Sequence, residues 1–411
     1  MKKIIIFLIK PLFSFLLTLL LLEAGLRLFP GLIPLSLLTF FHEQPRVEIA
    51  QRRGLPVVQS TIPLERDDGG PELRIFKPYT RLTYTNRKDE PAVSVIRDEN
   101  GFCNPEGSYQ KSTIDVITLG DSFTVCHAVY PEDTWTGQLS ALTGYSTYNL
   151  GRSGVGILEY LQLLKKFGLQ KSPRLVIMNI YEGNDLRDAD KYFDHIQGKV
   201  DNDDPPPAPP LTLPIVSNYS YTFNLLIAFI GYLQNVLTKR PSSSQTTTFK
   251  YKLHFPDGMT IPFNLEDTDK DEVRFARRLH DKAVDIGVSA TIEAALQTFV
   301  KLSRQHNFIP IVTYTPSAHT AYADYVIFDD PALAELMPWF SQEQRRFIEE
   351  QSQTLGFTFI DLTPAIQAAA RANGAQRLLY DPRDLHLTLS GHTVIAQALG
   401  QKLQILALFE R

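Results

Sequence analysis

Short apolar runs alternate with helical spacing of apolar residues in the middle of the chain. The runs at 115–119 and 175–180 are typical of strands buried on both faces of a sheet. Apolar residues at helical spacing predict one helix after residue 133 and another after residue 156. Asp133 is expected to be the N-cap of the first helix. The residues with that spacing are Trp135, Leu139 and Leu142, then Ile157, Tyr160, Leu161 and Leu164.

The same alternation returns near the C-terminus. We predict strands at 309–314 and 357–360. Ser341 with Gln344 has the pattern of a capping box, so it predicts the start of a helix that Gly356 ends.

Thr363 is expected to cap a further helix that ends before Gly374, because Pro364 suits a first helical turn. Strands that alternate with helices indicate a parallel sheet with helices on both faces, a three-layer α/β/α fold.

The N-terminal segment is strongly apolar. Between Ile4 and Leu22 the only charge is Lys10, and about 20 apolar residues suffice to span a bilayer. We therefore predict a single transmembrane helix with its N-terminus in the cytoplasm, since Lys2 and Lys3 precede it. A cleaved signal peptide and a buried helix are the alternatives.

An insertion is predicted between the two α/β stretches. Acids followed by prolines at 201–210 indicate a linker, and 241–248 is a second polar link. The apolar segment 223–237 is too short to span a bilayer, so we expect a packed helix, with a membrane-facing lid as the alternative. Alternation at 249–255 before Pro256-Asp257-Gly258 predicts a hairpin.

Composition narrows the class of protein. The 411 residues are 44% hydrophobic and 21% charged, with a net charge of −4, so no basic surplus suggests nucleic acid as a partner. Two cysteines exclude a disulfide-dense scaffold. The nine histidines include no H-E-x-x-H motif and no paired metal spacing, so we predict neither a metal nor a cofactor.

Polar motifs follow the predicted strands. Gly120-Asp121-Ser122 ends the first, the loop 149–154 follows the next, and Gly183-Asn184-Asp185 follows the third. The segment 381–392 carries an Asp–His pair. Taken singly, each is also typical of an ordinary helix cap or turn. Together, the three motifs at the carboxyl ends of parallel strands indicate a ligand site, and the Asp–His pair closes the domain.

Four blocks of the sequence resemble the signature blocks of the SGNH (GDSL) hydrolases: Gly120-Asp121-Ser122, Gly154, Gly183-Asn184-Asp185 and Asp384-Leu385-His386. The resemblance covers about 112–408 apart from the insertion. The resemblance implies a flavodoxin-like sheet and a catalytic triad. Ser122 would be the nucleophile, His386 the general base and Asp384 its orienting acid. Backbone N–H groups of Ser122 and Gly154, with the Asn184 side chain, would form the oxyanion hole.

The chain departs from that family in one place. The acid usually lies three residues before the histidine, where this chain has Arg383. Asp384 lies two residues before and Asp381 five before, and we expect Asp384 to orient His386.

Smaller features complete the site prediction. If the domain lies outside the cytoplasm, Cys103 and Cys126 are candidates for a disulfide, with two unrelated thiols as the alternative. His127 and His392 lie near the motifs, and we expect each to serve packing or the surface.

The functional prediction is a membrane-anchored ester hydrolase that forms a serine acyl-enzyme. Its catalytic domain would be extracytoplasmic and its substrate a small acyl ester or an acylated glycan. The alternatives are an O-acyltransferase acting on a surface polysaccharide and a non-catalytic glycan-binding protein. The predicted domains are an anchor (1–28), an N-terminal extension (29–110) and a hydrolase domain (111–411) with its insertion at about 195–270.

Overall fold

The computed structural model describes residues 2–38, 41–53, 61–84, 92–198, 214–238, 249–265, 270–282 and 286–405. The chain divides into two compact units. Met1–Ser60 and Asn202–Gln245 form one, called here the helical unit, and Thr61–Asp201 and Thr246–Arg411 form the other, the sheet unit. The predicted insertion therefore contributes to both units. Its predicted linkers at 201–210 and 241–248 lie outside the described residues.

Helices make up the described part of the helical unit: α1 (Lys2–Leu28), α2 (Leu35–Leu38), α3 (Glu43–Arg52), α7 (Pro214–Tyr219) and α8 (Tyr221–Thr238), numbered in chain order. Their small core includes Leu26, Ile49 and Tyr221. The Glu23 carboxylate of α1 accepts the backbone N–H groups of Tyr221 and Thr222 at 3.1 and 2.8 Å, so it caps the start of α8. The segment predicted to be a packed helix is helical, as α8.

The predicted transmembrane segment lies within α1. Across the part of the chain that the structure describes, none of the helices combines the length and apolar character needed to cross a bilayer. The anchor therefore stays a prediction.

A five-stranded parallel sheet organises the sheet unit: β5 (Val116–Leu119), β6 (Thr147–Asn149), β7 (Leu175–Tyr181), β10 (Ile309–Thr315) and β12 (Thr358–Asp361). Its order is β12-β10-β7-β5-β6. Counted within the sheet, this is the 2-1-3-4-5 order of flavodoxin-like folds. All residues of β5 and β7 are buried, as continuous apolar strands require, so the predicted α/β class is confirmed.

Helices connect these strands: α4 (Trp135–Thr143), α5 (Ile157–Leu163), α6 (Asp185–Ile196), α9 (Lys270–His280), α10 (Ile286–His306), α11 (Ala318–Ala321), α12 (Leu333–Leu355), α13 (Thr363–Asn373) and α14 (Leu389–Ile405). They fall into two groups. Helix α14 packs on α4 and α13, whereas α10 packs on α5, α6 and α12. Because the strands between them are buried, the two groups form the outer layers of an α/β/α sandwich.

Three small antiparallel sheets complete the unit. Strand β1 (Thr61–Leu64) pairs with β2 (Leu73–Phe76), and β3 (Arg81–Tyr84) pairs with β4 (Val93–Ile96). The predicted hairpin is confirmed as β8 (Tyr251–His254) and β9 (Thr260–Phe263), to which β11 (Val326–Phe328) adds a third strand.

Three predicted helix starts are wrong. Thr134, not Asp133, caps α4, because its hydroxyl accepts the Gly137 N–H at 3.0 Å. Ser341 is not a cap but lies inside α12, which begins at Leu333. The cap of α13 is Leu362, with Thr363 as the first residue of that helix.

Candidate active site

The loop after β5 carries the predicted nucleophile at the carboxyl edge of the sheet. Ser122 is half-buried. The carbonyl of Asp121 accepts the N–H groups of Thr124 and Val125 at 3.2 and 3.1 Å, which folds the loop into a tight turn. A side chain on Gly120 would overlap Thr124, so this turn requires glycine there.

Asp121 supports the loop from inside. Its side chain is fully buried, and Oδ1 accepts the Phe123 N–H at 2.8 Å. Burial raises the pKa of Asp121 to about 6, against the opposing effects of that N–H and of the nearby His386. The Asn184 side chain also lowers this pKa. Asp121 therefore lies close to two of the predicted catalytic side chains.

The neighbouring loop, which carries Gly154, is attached to the nucleophile loop. The Arg152 N–H donates to the Gly120 carbonyl at 2.9 Å, and Asn149 Nδ2 donates to the Thr124 carbonyl at 2.7 Å. Gly154 itself is exposed and has a φ of 72°, which favours glycine.

Asn184 follows β7 and forms the N-cap of α6. Its Nδ2 donates to Asp188 Oδ2 at 2.9 Å, which orients the amide. An amide N–H held in this way can donate to a developing oxyanion. The carboxyl ends of β5, β6 and β7 thus bring the Ser122, Gly154 and Asn184 loops to one edge of the sheet.

A tight turn before α14 carries the predicted base. Leu385, between Asp384 and His386, has a φ of 63°. Asp384 Oδ1 accepts the backbone N–H of His386 at 3.1 Å and lies 3.6 Å from His386 Nδ1. His386 Nδ1 is buried and has no hydrogen-bond partner among the described residues. Its nearest carboxylate is therefore that of Asp384.

Asp381 serves the backbone of the same turn. Its Oδ1 accepts the Arg383 N–H at 2.9 Å, and its own N–H donates to the His386 carbonyl at 2.8 Å. The structure thus places Asp384 beside the imidazole and Asp381 under the turn.

His127 contacts the same carboxylate, which the sequence did not predict. His127 Nε2 lies 3.0 Å from Asp384 Oδ2, and its ring stacks on that of His386 with centroids 3.7 Å apart. The expectation that His127 serves only packing is therefore incomplete. The single signal in the sequence was its position five residues after Ser122.

Electrostatics keep Asp384 ionised. Burial raises its pKa, but the hydrogen bonds and charges of His127 and His386 outweigh burial and hold it well below its usual range. Burial lowers the pKa of His127, with a further contribution from His386, although Asp384 opposes the shift. A fixed negative charge beside an imidazole can stabilise the imidazolium that forms when that imidazole takes a proton.

Aromatic stacking connects the base to the nucleophile loop. The His386 ring stacks on Phe123 with centroids 5.3 Å apart, and Phe123 stacks on Tyr181 at 3.5 Å. Phe123 is the residue after Ser122, so the His386 ring packs on the loop that carries the predicted nucleophile.

A disulfide joins Cys103 to Cys126, with the two Cα atoms 5.9 Å apart. It connects the segment before β5 to the end of the nucleophile loop and precedes His127 directly. The position of His127 is therefore fixed covalently on one side.

His392, expected to serve packing or the surface, is buried in α14, and its Nδ1 accepts the backbone N–H of Trp135 at 3.2 Å. It therefore joins α14 to the start of α4.

The imidazoles of His127 and His386 and the Asp384 carboxylate lie within 4.8 Å of one another, a grouping that can also hold a metal ion.

No family model and no curated protein matches the chain. Solved structures similar to it include a lipolytic protein of the G-D-S-L family from Desulfitobacterium hafniense, with 12% identity, 70% of this chain and 99% of that chain covered, and a TM-score of 0.35. An acetylxylan esterase from Geobacillus stearothermophilus has 12% identity, 71% and 94% coverage, and a TM-score of 0.36. A GDSL-like lipase from Parabacteroides merdae has 13% identity, 72% and 97% coverage, and a TM-score of 0.36.

Proposed function

We propose that this chain is an SGNH-type ester hydrolase in which Ser122 forms an acyl-enzyme. One observation carries the proposal. An ionised carboxylate, Asp384, lies 3.6 Å from Nδ1 of an imidazole, His386, whose ring stacks on the residue after Ser122. A serine is activated by a base whose imidazole is held by an acid, and here the base and the acid lie beside the loop that carries Ser122.

In the proposed reaction, His386 takes the proton of the Ser122 hydroxyl as the oxygen attacks the ester carbonyl carbon. The negative charge on the carbonyl oxygen is stabilised by the N–H groups of Ser122 and Gly154 and by Asn184. His386 then gives its proton to the departing alcohol. Water, activated by the same imidazole, cleaves the acyl-enzyme and releases the acid and the free serine.

The small acyl ester or acylated glycan is the substrate class that we propose. A neutral substrate suits this site, because the buried Asp121 and the half-buried Asp384 already supply negative charge there. An anionic acyl group would meet that charge.

The proposed location is outside the cytoplasm, with attachment to a membrane through α1. The Cys103–Cys126 disulfide supports an oxidising compartment. The described part of α1 exposes Leu20 and Leu21, 68% and 63% accessible, which supports contact with lipid. Carbonate extraction of membranes from cells expressing the full chain tests the attachment, and release of the protein would contradict it.

The activity is tested with the full chain and p-nitrophenyl acetate. We expect Ser122→Ala to lower turnover by roughly 10⁴-fold or more, and a serine-directed phosphonate to label wild type alone. Ser352→Ala, a half-buried serine of α12, is the matched control and is expected to keep full turnover. Absence of both turnover and labelling would overturn the proposal. Acyl loss only with a glycan acceptor present would replace hydrolysis with acyl transfer.

A further inference from the structure

A second cluster of metal-ligating side chains lies in the sheet unit, apart from the proposed catalytic residues. Glu182 follows β7, Glu272 lies on α9 and His319 lies on α11. Their exposed fractions are 1%, 1% and 4%. One ligand atom of each lies within 4.8 Å of the others. The proposed hydrolysis uses none of them.

The spacing of these atoms suits a shared cation. His319 Nε2 lies 3.2 Å from Glu272 Oε1 and 4.0 Å from Glu182 Oε1. The shorter of these separations is also a hydrogen-bond distance between His319 and Glu272. Two ligands of one ion at bond lengths of about 2.0–2.2 Å lie roughly 3.0–3.5 Å apart. The 3.2 Å separation lies within that range and the 4.0 Å separation is longer, so an ion would draw Glu182 Oε1 closer to the imidazole.

The hydrogen bonds of Thr320 indicate which ring nitrogen of His319 carries the proton and which one can present a lone pair to an ion. Thr320 Oγ1 donates its only proton to Glu182 Oε1 at 2.6 Å. The same oxygen lies 3.3 Å from His319 Nδ1, so it can only accept there, and Nδ1 carries the proton. In a neutral imidazole, Nε2 is then unprotonated and faces two carboxylate oxygens. Metal-binding histidines donate their other N–H in this way.

Charge balance favours a cation too. Phe249, Tyr251 and Phe328 surround His319 with aromatic rings whose centroids lie 5.8–6.1 Å from it. Two carboxylates buried among such rings need a positive charge nearby to balance their negative charge. A divalent ion would balance both carboxylates while His319 stays neutral.

An unpartnered hydroxyl provides an independent observation. Tyr314 Oη on β10 is fully buried and makes no hydrogen bond to any described residue. It lies close to the Glu182 carboxylate and to the Ser341 hydroxyl. Tyr314 therefore points at Glu182. Ser341 Oγ in turn donates to Glu182 Oε2 at 2.9 Å, the kind of contact that orients a ligating carboxylate.

We propose that Glu182, Glu272 and His319 bind one divalent transition-metal ion, Zn²⁺ or Mn²⁺, with Tyr314 Oη facing it. Mixed carboxylate and imidazole ligands suit both ions. Glu182 directly precedes Gly183 and Asn184, so the ion fixes the start of the Asn184 loop and joins it to α9 and α11. This site is structural, and it stands whether or not Ser122 hydrolyses esters.

The test is the metal content of the full chain, purified without chelator and measured by plasma mass spectrometry. We expect about one ion per wild-type chain and its loss in His319→Gln and Glu272→Gln. His306→Gln, an exposed histidine of α10, is the control that keeps the ion. His127→Gln, at the other grouping of ligands, is expected to keep it as well.

A second measurement needs no variant. Wild-type protein refolded without metal is expected to gain roughly 5 °C in unfolding midpoint when Zn²⁺ or Mn²⁺ is added at about 100 times its dissociation constant. Two results would overturn the proposal. One is metal-free wild type whose midpoint neither ion changes. The other is an ion that stays in His319→Gln and is lost from His127→Gln, which places it beside Asp384.

Discussion

The Asp384 carboxylate contacts two histidines, and the closer one is His127. Its Oδ2 lies 3.0 Å from His127 Nε2, whereas its Oδ1 lies 3.6 Å from His386 Nδ1. The two imidazoles stack face to face. His127 thus holds the other oxygen of the carboxylate, Oδ2, and it acts through Asp384 as a positioning residue.

Two replacements of His127 are expected to distinguish the effect of its hydrogen bond on kcat from the effect of its size. His127→Leu removes the donor to Asp384, and a hydrogen bond to a charged group is worth about 1.5–3 kcal/mol, so kcat is expected to fall roughly 10–100-fold. His127→Gln keeps an N–H donor and is expected to recover most of that loss. KM should change little in both. Equal kcat values for the two variants in steady-state ester hydrolysis would contradict this role.

Replacement of Asp384 is expected to lower kcat far more than replacement of Asp381. Asp384→Asn keeps the shape but removes the charge that stabilises the imidazolium, so kcat is expected to fall by about 10⁴-fold. Asp381→Asn keeps an oxygen that accepts the Arg383 N–H, so it should retain turnover within a few fold. Measuring both by the same ester assay decides the assignment, and the reverse order of effects would make Asp381 the orienting acid.

The elements that the sequence predicted well are those with local signals. Continuous apolar runs identify β5 and β7, because strands covered on both faces leave no polar side to confuse the pattern. The polar motifs Gly120-Asp121-Ser122 and Gly183-Asn184-Asp185 follow where these runs end. Residues at 120–122 and 183–185 could therefore be placed at one sheet edge by topology alone. The segment 384–386 could be assigned to the same site only through the resemblance to the SGNH hydrolases.

Apart from the one-residue shifts at the starts of α4 and α13, the errors come from contacts between distant residues. Ser341 has the pattern of a helix cap, yet its hydroxyl donates to Glu182, 159 residues away, from inside α12. His127 shares Asp384 across 257 residues. Glu272 and His319 meet Glu182 only after α9 and α11 pack. The spacing of residues along the chain cannot predict these contacts, because they form only when distant elements pack together.

Asn184 is expected to act on the transition state. Asn184→Ala removes a donor to the oxyanion, so kcat is expected to fall about 10²–10³-fold with KM nearly unchanged. Because Nδ2 also donates to Asp188, the control is Asp188→Asn, which leaves the Asn184 amide in place. Steady-state kinetics of both variants provide the comparison. A change confined to KM in Asn184→Ala would mean that this side chain binds substrate rather than the oxyanion.

Reduction of the Cys103–Cys126 disulfide is expected to destabilise the sheet unit. The bond closes a loop with a sequence separation of 23, and the chain-entropy model gives about 3 kcal/mol for a loop of that size. Urea unfolding with and without dithiothreitol measures the change. Both tryptophans, Trp135 and Trp339, lie in the sheet unit and report on it by fluorescence. A Cys103→Ser/Cys126→Ser variant is the control, and its stability should not respond to the reductant.

His392 is expected to make folding sensitive to acid. Its burial, with the nearby charges of His127 and His386, lowers its pKa to about 3, whereas an unfolded histidine has a pKa of about 6.5. Below pH 6.5 the unfolded chain binds a proton that the folded chain refuses. The stability that neutral His392 contributes is therefore complete above pH 6.5 and is lost as the pH falls toward 3.

The measurement compares wild type with His392→Gln, which keeps an acceptor for the Trp135 N–H. One proton refused by the folded state costs about 1.4 kcal/mol per pH unit, so between pH 6.5 and 5 the unfolding free energy of wild type should fall by about 2 kcal/mol more than that of the variant. His306→Gln, an exposed histidine, should follow wild type at every pH. If the difference between wild type and His392→Gln does not depend on pH, His392 is not the neutral buried group that its contact with Trp135 requires.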